Sequence, residues 1–73
     1  MNVAIYRQLL LCQRVRKCRV DRGLTQTEVA EQLGISQAAY SRLEKGEVDI
    51  SVAKLMELAV IYRVALSTLL EGF

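Results

Sequence analysis

Between Thr25 and Gly46 the sequence carries two short helices with their start and stop signals included, and few folds accommodate that arrangement. Thr25-Gln26-Thr27-Glu28 has the Ser/Thr-x-x-Glu spacing in which a threonine hydroxyl accepts from the amide three residues on while the glutamate reaches back. Val29, Ala30 and Leu33 then form a buried edge, and Gly34 permits the positive φ of a tight helix exit. Ile35 plugs the core and Ser36 caps a second helix, which runs from Gln37 to about Lys45 before Gly46 stops it. The small Ala30 lets the second helix cross close to the first.

The rest of the chain reads the same way. There is no proline, no stretch alternates like a hairpin strand, and apolar residues recur three and four apart. The expected fold is all-α: a compact five-helix domain filling 1–73, with residues 1–10 as an N-terminal extension and 26–45 as the helix-turn-helix unit. The first helix is expected from about Val3 to Arg22, with Ala4, Leu11, Val15 and Cys18 on its core stripe. A helix after Ser51 carries Val52, Leu55, Leu58, Ala59 and Tyr62, and a short last helix is expected around Ser67 to Glu71.

Composition removes most chemistry. Without histidine there is no imidazole base and no histidine metal site, and two cysteines are too few for a four-ligand cluster. No metal, cofactor, small-molecule ligand or catalytic group is therefore expected. Cys12 and Cys18 point roughly 120° apart on a helix and read as reduced packing residues. The apolar runs Leu9 to Cys12 and Leu58 to Tyr62 are far short of the roughly 20 residues needed to cross a bilayer, and no secretory leader is evident, so the expected compartment is the cytoplasm.

The formal charge is +2, unevenly placed: residues 1–27 hold six basic side chains against Asp21 alone, and residues 28–50 are net acidic. With 52% hydrophobic residues the chain is more apolar than a small free-standing monomer requires, which points to a homodimer. Val3, Tyr6 and Leu10 fall roughly opposite the core stripe of the first helix and are candidates for that contact; the alternative is a bent N-terminal segment folding back on its own domain. Leu66, Leu69 and Leu70 are a second set of candidates.

On the second helix of the unit Gln37, Ala38, Ser41, Arg42 and Lys45 share one polar arc, with Tyr40 and Leu43 on the far side. That arc offers what major-groove edges demand: an amide for adenine N6 and N7, a guanidinium fork for guanine O6 and N7, and a small side chain beside a thymine methyl. Gln37, Ala38, Ser41 and Arg42 are the candidate base contacts, and double-stranded DNA is the expected partner.

Residues 11–70 resemble the helix-turn-helix domain of the phage lambda and 434 repressors, Cro proteins and small bacterial regulators, through Arg-Gly-Leu-Thr-Gln (22–26), Val-Ala-Glu-Gln-Leu-Gly-Ile-Ser-Gln (29–37), Tyr-Ser-Arg-Leu-Glu-Lys-Gly (40–46) and Leu-x-x-Leu-Ala (55–59). The resemblance implies that Gln26 contacts a phosphate and braces Gln37, with Thr25, Ser36 and Lys45 as further backbone contacts and the amides at the helix start favouring a phosphate oxygen. It also implies a structural ion pair between Arg19 and Glu44. Function by resemblance is that of a dimeric repressor of a palindromic operator, in the setting of a phage repressor, a restriction controller or an antitoxin; the alternative is a protein-interaction module on the same fold. The chain departs from the family pattern in an acidic segment, Gly46 to Ile50, in Ile50 for a common proline, Arg63 for a common glycine and Ala65 for a common serine cap. The N-terminal extension has no counterpart.

Overall fold

A computed structural model describes residues 2–71. Its five helices are α1 (Val3–Asp21), α2 (Gln26–Leu33), α3 (Gln37–Glu44), α4 (Val52–Tyr62) and α5 (Leu66–Leu69), and the fold is all-α. Asn2 starts α1 by accepting from the amides of Ala4 and Ile5 at 2.9 and 3.3 Å. Thr25 and Glu28 form the reciprocal box at the start of α2, 3.1 Å from the Glu28 amide to the threonine oxygen and 3.0 Å from the Thr25 amide to the carboxylate. Ser36 and Ser51 each accept from the amide three residues on, opening α3 and α4. Gly34 leaves α2 at φ 71°, the left-handed conformation that a side chain would strain.

α2 and α3 cross over a core formed by Val15 and Cys18 of α1, Val29 and Ala30 of α2, Tyr40 and Leu43 of α3, Leu55, Leu58, Ala59 and Tyr62 of α4, and Leu69 of α5. Tyr40 and Tyr62 are wholly buried and their hydroxyls are hydrogen-bonded to each other. Both cysteines are buried free thiols, and burial is the main reason their pKa values rise.

Several expectations are corrected. α1 continues as one helix, so its first half does not fold back. Ala4 is exposed, whereas Cys12, off the expected stripe, is buried where its thiol donates to the Leu43 carbonyl at 3.2 Å. Val52 is 67% exposed because the first turn of α4 lies beyond the core. The last helix begins at Leu66 and is a single turn; Leu69 is fully buried and Leu66 half-buried against the core, so Leu69 faces its own domain and not a partner. Leu70 is 41% exposed.

The basic excess of the first third is largely used inside the fold. Arg14 donates to the Thr68 carbonyl at 2.7 Å, and Arg22 donates to the carbonyls of Tyr62 and Arg63. These bonds satisfy backbone acceptors near the ends of α4 and α5 that no helical amide reaches. Lys17 pairs with Asp21. The Gln8 amide donates to the carbonyls of Gly46 at 2.8 Å and Val48 at 3.3 Å, fastening the extension to the segment that leaves α3.

Candidate nucleic-acid interface

α3 presents Gln37, Ala38 and Arg42 to solvent, with Ser41 half-buried beside them and Lys45 exposed at its C-terminal cap. Tyr40 and Leu43 hold the opposite side in the core. The Ser36 and Thr25 hydroxyls already accept from helical amides, so each retains its proton for a second partner.

Behind this face runs a continuous chain of polar contacts. The Gln37 amide donates to Gln26 Oε1 at 2.7 Å, and the Gln26 amide donates to Glu44 Oε1 at 3.1 Å. Arg19 Nε meets Glu44 Oε2 at 2.6 Å and its Nη2 lies 3.2 Å from Oε1, while its Nη1 donates to the Leu24 carbonyl. The side chains of Arg19 and Glu44 are 13% and 3% exposed. Burial by itself would raise the Glu44 pKa. Hydrogen bonds from Arg19, Tyr40 and Gln26 together with the arginine charge outweigh it and hold the carboxyl below its ordinary value. The network is saturated, since no buried side-chain nitrogen or oxygen among the described residues lacks a partner.

The geometry leaves Gln37 with one amide hydrogen and its carbonyl oxygen uncommitted, the donor and acceptor pair that matches an adenine edge. One residue absent from the sequence-based set also reaches this region. Arg16 lines a groove with Arg19, Gln26, Glu44 and Lys45. It precedes Arg19 by one helical turn and so shares its side of α1, a signal present in the spacing. Arg42 stands on the other flank, beside Asp49, Ser51 and Lys54.

Of the expected contact surface for a partner, Val3 and Tyr6 are exposed, at 59% and 48%, and Leu10 is half-buried. Ile5 and Leu9 are exposed next to them.

Two capped helices crossing at a left-handed glycine, with a polar outer face braced from behind, define a helix-turn-helix unit. Residues 15–69 match the family described as helix-turn-helix, and the chain belongs to that family. It is 39% identical over 62 residues to the HTH-type transcriptional regulator DdrOP3 of Deinococcus deserti, covering 85% of this chain and 48% of that protein. It is 33% identical over 60 residues to YonR, an HTH-type transcriptional regulator derived from the SPbeta prophage of Bacillus subtilis, covering 82% of this chain and 56% of that protein. YqaE of the same organism, also an HTH-type transcriptional regulator, is 33% identical over 63 residues, 86% of this chain and 54% of that protein. The chain spans about half the length of the curated relatives it matches. No solved structure gives a significant match. No helix among the described residues is long and apolar enough to cross a membrane.

Proposed function

We propose that this chain is a DNA-binding transcriptional regulator, not an enzyme, that reads a double-stranded operator with α3 in the major groove. The observation that carries this reading is the relay from Gln37 through Gln26 to the buried Glu44 and Arg19, which fixes an exposed amide at the start of a polar helix face. Such preorganisation has little use on an ordinary solvated surface and is what base readout requires. Gln37, Ala38, Ser41 and Arg42 face the base edges. Gln26, Thr25, Ser36 and Lys45 lie against phosphates on one side, joined by Arg16.

The protein acts as a homodimer on a palindromic site, with two α3 helices in successive grooves about 34 Å apart, and represses by occupying a promoter. Selection of bound oligonucleotides from a random pool tests the reading directly. A palindromic winner whose affinity falls steeply with salt is the expected result, because arginine and lysine displace counterions from phosphates. Recovery of no preferred sequence, with binding indifferent to salt, would overturn it.

A further inference from the structure

α4 carries a row of apolar side chains that the domain does not use. Val52, Met56 and Val60 are 67%, 55% and 78% exposed. Spaced four apart, they form one ridge of the kind that interdigitates between helices, each about 6 Å and 40° from the next. Isolated exposed apolar residues are ordinary, but three on one ridge make a contiguous patch.

The order of the ridge is its informative property. Reading outward from Met56, a valine lies four residues away in each direction. Asp49 lies seven residues before Met56 and Arg63 seven after it, both exposed. Asp49 sits beside Ser51 at the start of α4, and Arg63 borders Val60 at its end. The other charges of the helix, Lys54 and Glu57, are paired with each other at 3.2 Å, whereas Asp49 and Arg63 join no ion pair among the described residues. A two-fold contact between identical chains requires a surface that complements itself when reversed. This one does: in an antiparallel pairing centred on Met56, each Val52 meets the partner's equivalent of residue 60 and each aspartate meets an arginine.

Arg63 adds an independent sign. It is the only non-glycine residue with positive φ among those described, at 57°. A glycine would adopt that conformation without strain, so the strain brings a guanidinium to the end of the ridge where a bare backbone would suffice for the helix exit.

We propose that the outer face of α4 is where a second copy of this chain docks, with Met56 at the two-fold axis and Asp49 and Arg63 pairing across it. This deepens the dimer reading above. It is independent of the groove contacts, because association is measured without DNA.

Sedimentation equilibrium of the full chain over a wide concentration range is the test. The wild type is expected to form a concentration-dependent dimer, and Met56→Glu to weaken it at least about tenfold by placing like charges at the axis. Because residue 56 is exposed, the variant's melting curve at dilution should match the wild type. Asp49→Arg and Arg63→Asp are each expected to weaken the dimer several-fold, and the double variant to restore it. A wild type that stays monomeric throughout, as it would if a different protein covered this face, overturns the proposal. So does a dimer that survives Met56→Glu and is lost in Tyr6→Glu, which would place the contact on α1. Either result leaves the oligonucleotide selection to judge the groove reading separately.

Discussion

The hydroxyls of Tyr40 and Tyr62 meet in the centre of the domain, joining the helix that presents the polar face to the helix behind it. Both side chains are fully enclosed, and burial is the main reason both pKa values rise, that of Tyr62 to about 12. Neither ionises in the physiological range. Tyr62→Phe strands one buried hydroxyl and is expected to cost about 1–2 kcal/mol in urea unfolding. Tyr40→Phe should cost more, since Tyr40 also serves Glu44. The double variant should cost less than the two added together, because they share a bond.

Glu44 gives a pH signature. Its folded pKa lies below the ordinary 4.5, so as pH falls the unfolded chain takes up the proton first. The stability contributed by ionised Glu44 is complete above the unfolded value and is lost as pH drops through the folded one. Glu44→Gln is expected to cost about 3 kcal/mol at neutral pH, having left Arg19 enclosed without its counter-charge. The gap between wild type and variant should then narrow as denaturation is followed below pH 4.5. A gap that is constant with pH would mean that the carboxylate charge contributes nothing.

Base and phosphate contacts separate by how they respond to sequence and salt. Arg42→Ala is expected to cost about 1–3 kcal/mol on the selected operator and to relax preference at one position of each half-site. Arg16→Ala and Lys45→Ala should weaken all sequences alike, each lowering the salt slope by about one. An equal loss on operator and random DNA for Arg42→Ala would move that residue to the phosphate side. Competition titrations at several salt concentrations resolve these cases.

The exit of α4 and the entry of α5 are locally imperfect. Ala65 stands at the start of α5 without a side-chain bond to any amide, and Ala65→Ser is expected to stabilise the fold by about 0.5–1 kcal/mol. Arg63→Gly removes left-handed strain worth about 1–2 kcal/mol but loosens the unfolded chain, leaving a net gain of under about 1 kcal/mol. Thermal melts of dilute protein measure both free of association.

Local chemistry made much of this molecule legible in its sequence. The Thr25 and Glu28 box, the Ser36 and Ser51 caps and the turn at Gly34 depend on neighbours within four residues, and they lie where their spacing puts them. Contacts between distant segments were not legible in the same way. Arg14 and Arg22 register in a charge count as a basic patch, yet their partners are carbonyls 54 and 40 residues away. The stripe of α1 is offset because Cys12, not Ala4, meets the end of α3. In a one-turn helix periodicity has no room to act, so Leu69 and Leu70 could not be told apart by spacing, although one is enclosed and the other open. At the candidate interface the arc of α3 followed from rotation alone, whereas Arg16 needed the fold to bring α1 alongside Lys45.

The fastening of Gln8 to Gly46 and Val48, with the Cys12 thiol on Leu43, has a practical side. Similarity to the family begins at residue 15, but the physical unit begins earlier. Trimming the gene to the region of shared ancestry would sever both tethers and leave the far end of the reading helix unsupported from below. The part of this chain that its relatives do not predict is thus a buttress for the part that they do.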